Sequence, residues 1–131
     1  MIQEELFREA TRKTPKVVFR NESLIIEGRS IPENPRDFFL PLYDWILEKS
    51  KSADGELFLE FAFDYINTAS AKWIFLILRD LTVAGIKFRV IWSYEKGDDD
   101  MHDLAMMYHS LLFFPVSTRE VGEIPEANAI K

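Results

Sequence analysis

Residues 65–72 bring a phenol, an amide, two hydroxyls and an amine together in one short segment, Tyr-Ile-Asn-Thr-Ala-Ser-Ala-Lys. The hydroxyls of Thr68 and Ser70 can each cap a helix, contact an anion or accept a phosphate. Asn67 is typical of a residue that fixes a turn through its side-chain amide. Lys72 follows Thr68 by four residues, so its ammonium can reach a group carried by that hydroxyl. The segment predicts chemistry centred on a hydroxyl, with three roles open.

This segment lies between a predicted strand and a predicted helix. Residues 56–63, Glu-Leu-Phe-Leu-Glu-Phe-Ala-Phe, have the aromatic and aliphatic content of a buried strand, and residues 73–81 form an apolar run of helical length. In open α/β sheets, functional groups concentrate at the carboxyl ends of the strands. A helix amino terminus adds unpaired N–H groups and the positive end of its dipole. Negative charge is therefore favoured at this junction.

A second polar group, the acidic residues 98–100 followed by His102 and Asp103, resembles a metal site in composition alone. Divalent cations favour grouped carboxylates, but the spacing is not that of an EF-hand loop and consecutive aspartates point in different directions. His102 and His109 also lack the His-Glu-x-x-His spacing of a zinc protease. We interpret the group as the solvated first turn of a helix, and we expect neither a metal nor a cofactor.

Composition limits the possible classes of protein. The 131 residues suit a single domain, and a hydrophobic content of 47% with 14% aromatics excludes a disordered chain. Sixteen basic against twenty-two acidic residues give a net charge of −6, which argues against nucleic acid as a partner. Cysteine is absent, so disulfides and thiolate catalysis are excluded.

The sequence also bears on membranes and location. Residues 1–5 lack the basic start and apolar run of a signal peptide. No run of about eighteen apolar residues occurs, so no membrane span is expected. A cytoplasmic protein is the resulting expectation.

The predicted elements form an α/β order. Residues 1–10 are predicted to be a short N-terminal helical segment that ends before Pro15. A hairpin turns at residues 20–23, and Asn34 followed by Pro35 predicts the start of the first long helix.

Later elements alternate. Strands are predicted over residues 57–63 and 88–93, helices over 70–83 and 98–110, and an edge strand over 111–116, with a flexible tail from about 119 to 131. We predict a single α/β domain over residues 1–131 with a mixed, mainly parallel sheet of about five strands and helices packed on it.

Four segments in register give the chain a resemblance to a known family. They are residues 10–15, 28–34, 65–72, and 92–95 together with the acidic residues 98–101. In this order they resemble the SiaC-type regulatory phosphoproteins of bacteria, over about residues 10 to 116. The resemblance implies a fold similar to the STAS-like anti-sigma-factor antagonists and a role in cyclic-di-GMP signalling and biofilm regulation.

The resemblance also implies a non-catalytic switch. Its phosphorylation site would be Thr68, within a motif that includes Tyr65, Asn67, Ser70 and Lys72. The implied partners are a cognate kinase with a histidine-kinase-like ATP-binding fold, a PP2C-type phosphatase, and a diguanylate cyclase that the unphosphorylated form activates. The family tends to have serines where this chain has Ala69 and Ala71, which leaves Thr68 and Ser70 as the motif's hydroxyls.

Residues 28–34 join the second hairpin strand to the first helix. Arg29, Glu33 and Asn34 are candidates for a partner-binding rim near Thr68, although a structured turn with a helix cap explains them equally well. Two other functions stay open. A ligand-sensing STAS-like module or an anti-sigma-factor-antagonist partner switch would use the same sheet edge, whereas a hydrolase would need Asp64 or Asp98 with a histidine and lacks any nucleophile motif.

Overall fold

The computed structural model describes residues 6–51 and 55–124, which form six strands and three helices. The strands are β1 (Leu6–Arg8), β2 (Lys16–Arg20), β3 (Ser23–Ser30), β4 (Leu57–Ile66), β5 (Phe88–Glu95) and β6 (Val116–Val121). The helices are α1 (Pro35–Ser50), α2 (Thr68–Val83) and α3 (Asp99–Leu112).

The six strands form one sheet in the order β1-β2-β3-β4-β5-β6. The pairs β1–β2 and β2–β3 are antiparallel, whereas β3 to β6 run parallel and are joined through one helix each. Because such crossovers are right-handed and proceed in one direction across the sheet, all three helices lie on the same face. The predicted mixed, mainly parallel α/β sheet is confirmed, with six strands instead of about five.

The core lies between that face and the helices. Phe61 and Phe63 of β4 surround Trp92 of β5, with ring centroids 5.1 and 6.2 Å from the indole. Tyr108 of α3 approaches the same indole at 6.1 Å. Buried aromatic pairs of this kind contribute about 0.5–1.5 kcal/mol each beyond their area. These contacts pack α3 against β5, and β5 against β4.

The helix predicted over residues 1–10 is wrong for the part that the structure describes. Leu6–Arg8 is a strand, with Leu6 opposite Phe19 of β2. A three-residue strand is too short to show an alternating pattern, and its pairing with β2 is a tertiary contact. Residues 1–5 lie outside the described residues.

The elements predicted for the carboxyl-terminal part of the chain also differ from those in the structure. α3 continues to Leu112, so the edge strand predicted over residues 111–116 is instead β6, which begins after Pro115. The tail predicted from residue 119 is held in the sheet as far as Val121. Ile124 is buried, and its N–H donates to Glu95 Oε2 at 2.7 Å. Residues 125–131 lie outside the described residues.

Two local predictions are confirmed. The hairpin between β2 and β3 turns at Asn21 and Glu22, whose φ angles of 53° and 69° suit a tight two-residue turn. Asn34 caps α1 by accepting from the Asp37 N–H at 3.4 Å, and Pro35 is the first helical residue.

Candidate functional site

The carboxyl end of β4 changes register where the site begins. Gly28 of β3 pairs with Phe63, but Arg29 pairs with Tyr65, so Asp64 lies between the two paired positions. The Asp64 carboxylate is 6% exposed and lies 3.2 Å from Arg29 Nη2. Irregularities of this kind redirect side chains at the edges of sheets. Here the shift is followed by an exposed Tyr65.

The first turn of α2 is capped by Asn67. Its Oδ1 atom accepts from the Ser70 N–H at 2.8 Å, and its own N–H donates to the Ser30 carbonyl at 3.0 Å. Thr68 is therefore the first helical residue and not the cap. The capping role that the sequence left open for the Thr68 hydroxyl is excluded, and the predicted role of Asn67 in fixing the turn is observed.

Ser70 is unsuited to modification. It is fully buried, and its hydroxyl donates to the Ser30 carbonyl at 3.1 Å. The Ser30 hydroxyl in turn donates to Ser70 Oγ at 2.9 Å. Since no kinase reaches a hydroxyl enclosed in this way without unfolding the turn, Thr68 carries the accessible aliphatic hydroxyl of the segment.

Thr68 is exposed at the mouth of a cavity of about 460 Å³. Among the described residues, its hydroxyl has no hydrogen-bond partner. The cavity lies between the carboxyl end of β4 and the amino ends of α2 and α3. Its lining residues are Asp64, Tyr65, Ile66, Asn67, Thr68, Ala71, Asp98, Asp100, Met101 and Leu104.

A second helix start meets the first at this cavity. Asp98 caps α3 by accepting from the Met101 N–H at 3.1 Å, so the predicted helix start is confirmed. The carboxylates of Asp98 and Asp100 face the same space as Thr68, and no described lining residue is a lysine or arginine. The site therefore combines the positive amino ends of α2 and α3 with the carboxylates of Asp64, Asp98 and Asp100.

First-turn donors remain available beside Thr68. The N–H groups of Thr68 and Ala69 have no partner among the described residues, whereas the Ser70 and Ala71 N–H groups bond to Asn67. A group carried by the Thr68 hydroxyl can accept from these donors, as anions do at helix amino termini. Lys72 is exposed one turn further along α2 but does not line the cavity.

The candidate rim residues divide into different roles. Arg29 reaches the cavity through its ion pair with Asp64. Glu33 instead binds the exposed Lys13 ammonium, which lowers the pKa of the Glu33 carboxyl. Asn34 caps α1, which is the structural role that the sequence left open for it. Of the three, only Arg29 is connected to a residue lining the Thr68 cavity in the described structure.

Several residues of this site were not connected with Thr68 in the sequence. The sequence predicts a solvated helix start for Asp98 and Asp100, and it gives no signal for Ser30. A usable signal existed, because the carboxyl ends of neighbouring parallel strands meet at one edge. In the part of the chain that the structure describes, no three histidine or acidic side chains are grouped to hold a metal ion. Within the same residues, none of the helices is long and apolar enough to cross a membrane.

Comparisons with known proteins agree with this architecture. An uncharacterized protein of Pseudomonas aeruginosa strain UCBPP-PA14 is 26% identical over 118 residues, which cover 86% of this chain and 94% of that protein. The crystal structure of apo-SiaC from Pseudomonas aeruginosa aligns with a TM-score of 0.77 at 24% identity, covering 89% of this chain and 99% of that one.

A chain in the crystal structure of the diguanylate cyclase SiaD with its activator SiaC, from the same species, aligns with a TM-score of 0.78 at 24% identity. That alignment covers 88% of this chain and 99% of the other. These likenesses show a shared fold. The model of the SiaC family regulatory phosphoproteins matches residues 8–121. The chain therefore belongs to the SiaC family of regulatory phosphoproteins.

Proposed function

We propose that this chain is a non-catalytic switch whose phosphorylation on Thr68 controls binding to a diguanylate cyclase. The unphosphorylated form binds and activates the cyclase. A cognate kinase with a histidine-kinase-like ATP-binding fold adds the phosphate, and a PP2C-type phosphatase removes it. The cyclase partner is carried over from the solved complex of SiaD with its activator SiaC.

The observation that carries this proposal is the contrast between the two hydroxyls of the motif. Thr68 is exposed at a cavity mouth with a free hydroxyl among the described residues, whereas Ser70 is fully buried in hydrogen bonds. A kinase needs a hydroxyl that can enter its active site. Of these two residues, only Thr68 offers such a hydroxyl without disturbing the first turn of α2.

A phosphate on Thr68 makes the surface around the cavity more negative. It adds about −1.5 to −2 charges and three acceptor oxygens. The free N–H groups of the first turn and the helix dipole offset part of that charge inside the molecule. Asp98 and Asp100 across the cavity add like charge, so a partner that covers the cavity must desolvate a strongly anionic group. The fold stays intact while the interface is blocked.

The test measures cyclic-di-GMP production by the purified cyclase with three forms of this chain. Untreated wild type and kinase-treated Thr68→Ala are expected to activate the cyclase, whereas kinase-treated wild type is expected not to activate it. Treatment with the phosphatase should restore activation. Equal activation by kinase-treated wild type and kinase-treated Thr68→Ala would overturn the proposal.

A further inference from the structure

A phosphate on Thr68 lies in acidic surroundings. Asp64, Asp98 and Asp100 line the same cavity as Thr68, and none of the described lining residues is a lysine or an arginine. The N–H groups at the start of α2 and the helix dipole supply only partial positive charge. A phosphate dianion beside three carboxylates is stabilised when a full cation pairs with it. That cation has to come from just outside the lining residues.

Arg29 is held at the wall of this cavity. Its Nη2 atom lies 3.2 Å from Oδ2 of Asp64, whose side chain is 6% exposed. Asp64 is one of the residues that line the cavity, whereas Arg29 is not. The Arg29 side chain is 37% exposed, so part of it stays in contact with water. The guanidinium therefore lies beside the cavity without filling it.

The backbone places Arg29 close to Thr68. The Ser30 carbonyl accepts from the Asn67 N–H at 3.0 Å, and Arg29 and Thr68 are each one residue away from this hydrogen bond. Residues bonded across neighbouring strands have Cα atoms about 5 Å apart, and consecutive Cα atoms are about 3.8 Å apart. The Cα atoms of Arg29 and Thr68 are thus about 13 Å apart or less. An arginine side chain and a phosphothreonine side chain together span such a distance.

Stability alone does not account for the ion pair between Arg29 and Asp64. Burying a carboxylate removes its hydration, and apolar residues of similar volume are often as stabilising as a buried ion pair. The pair forms where the register between β3 and β4 shifts, which leaves Asp64 between the paired residues Phe63 and Tyr65. Register irregularities of this kind redirect side chains beside functional sites. Both features indicate a role for the pair in the chemistry of the cavity.

We propose that Arg29 is the cation that holds a phosphate on Thr68. In the unphosphorylated protein, Asp64 keeps the Arg29 guanidinium at the cavity wall. In the phosphorylated protein, the guanidinium bridges Asp64 and the phosphate. A guanidinium suits this bridge because its five N–H donors form a planar fork that can bind two oxyanions at once. The inference rests on the proposed function and names the residue that binds the phosphate.

Lys72 is the alternative cation. It follows Thr68 by four residues on α2, so its ammonium can reach a group carried by the Thr68 hydroxyl. In the structure Lys72 is exposed and is not a lining residue of the cavity. An exposed lysine gains little from an ion pair, because it loses side-chain freedom on pairing. Arg29 is already held by Asp64, so pairing with the phosphate costs it less ordering.

The bridge fixes where the phosphate lies. Arg29 contacts it on one side, and the N–H groups of Thr68 and Ala69 contact it on the other. The phosphate thus stays at the cavity, facing the carboxylates of Asp98 and Asp100, and does not turn out into water. A partner that covers the cavity therefore meets the phosphate in a single position.

The test measures the second pKa of the phosphate by phosphorus-31 NMR in the full chain, with phosphothreonine incorporated at position 68 during translation. Asp64, Asp98 and Asp100 raise this pKa through like charge, whereas a guanidinium in contact with the phosphate lowers it. Arg29→Gln should therefore raise the phosphate pKa by about 1, and Lys72→Gln should change it by no more than about 0.3. A larger rise for Lys72→Gln than for Arg29→Gln would assign the phosphate to Lys72 and overturn the proposal.

A second pair of variants keeps the test valid if Arg29→Gln unfolds. In that variant the buried Asp64 carboxylate loses the guanidinium that it contacts, which destabilises the fold. Asp64→Asn, alone and combined with Arg29→Gln, avoids this because position 64 then carries no buried charge. The phosphate pKa should be about 1 higher in the double variant than in Asp64→Asn. Equal values in these two proteins would overturn the proposal, since the phosphate would then not contact Arg29.

The NMR measurement also distinguishes this proposal from the proposed function. Phosphothreonine is present at position 68 whether or not a kinase acts, so the phosphate pKa concerns Arg29 alone. An unchanged phosphate pKa in Arg29→Gln, with cyclase activation lost on phosphorylation, would contradict the role of Arg29 and keep the Thr68 switch. The expected rise in pKa, with the cyclase still activated by the phosphorylated chain, would retain the phosphate site and contradict the switch.

Discussion

The hydroxyl of Ser70 donates to the carbonyl of Ser30 at 3.1 Å, and the Ser30 hydroxyl donates back to Ser70 Oγ at 2.9 Å. Both residues are fully buried. This pair of hydrogen bonds connects the first turn of α2, which carries Thr68, to the carboxyl end of β3. The turn that presents Thr68 to solvent is thus held by a hydrogen-bonded contact inside the protein.

We expect Ser70→Ala to lower the free energy of unfolding by about 1–3 kcal/mol, because it leaves the buried Ser30 hydroxyl without its acceptor. The double variant Ser30→Ala with Ser70→Ala should cost less than the sum of the two single changes, since neither hydroxyl then remains unpaired. Urea denaturation of the four proteins measures this. Additive losses would show that the two hydroxyls do not act as a pair.

The cap assignment gives a second prediction. Asn67→Ala should lower the free energy of unfolding by about 1 kcal/mol, because the Ser70 N–H loses its acceptor. Thr68→Ala should change it by less than about 0.5 kcal/mol, since Thr68 is exposed and is not the cap. Thermal or urea unfolding compares the two variants. A larger loss for Thr68→Ala would mean that its hydroxyl stabilises the helix.

A third prediction concerns acid stability. Arg79 Nε donates to Asp80 Oδ1 at 2.9 Å and the Tyr43 hydroxyl donates to Asp80 Oδ2, so α1 and α2 are connected through this carboxylate. The Arg79 contact first, and then the Tyr43 contact, lower the pKa of Asp80. Because the pKa of Asp80 is lower in the folded protein, its ionised carboxylate adds stability at pH values above the ordinary pKa of about 3.9. That stability is lost as the pH falls through the pKa that Asp80 has in the folded protein.

Asp80→Asn should therefore cost about 1 kcal/mol at neutral pH, and the difference from wild type should shrink as the pH falls below about 3.9. Urea denaturation at neutral pH and at a pH below about 3.9 measures the difference in the free energy of unfolding between the variant and wild type. Tyr43→Phe should show a smaller loss, because the Arg79 contact survives. A difference that stays constant with pH would contradict the role of the ionised carboxylate.

The end of α3 supplies a fourth prediction. Phe113→Gly should raise the free energy of unfolding by about 0.5–1 kcal/mol, because glycine adopts a φ of 60° without the steric cost that phenylalanine bears. The exposed ring loses few contacts on removal. Phe113→Ala is the control, since alanine keeps the strain and should not stabilise the protein. A destabilised Phe113→Gly would show that the ring supports the fold.

The sequence predicts most of this fold because long elements carry strong patterns. The apolar runs predict a strand over residues 57–63 and a helix over residues 70–83. The structure has β4 at Leu57–Ile66 and α2 at Thr68–Val83, so both elements are predicted and only the ends beside the junction differ. Leu6–Arg8 was misassigned, since a strand of three residues has no periodicity to detect. The helix end at Phe113 was also missed, because a left-handed conformation is expected of glycine or asparagine.

The site was predictable only in part. Residue types near Thr68 indicated anion chemistry, and four segments in register indicated the family. The choice of Thr68 over Ser70 depends on burial, which is decided by contacts with Ser30 that lies far away in the sequence. The convergence of Asp98 with Thr68 likewise depends on β4 and β5 being neighbours in the sheet. Neither relationship is local, so no short pattern shows it.

The central claim is that Thr68 accepts the phosphate. Its most direct test is the intact mass of this chain after incubation with the cognate kinase and ATP. Wild type and the control Ser110→Ala, which lacks another exposed hydroxyl, should each gain one phosphate, and Thr68→Ala should gain none. A phosphate of equal yield on Thr68→Ala would contradict the account.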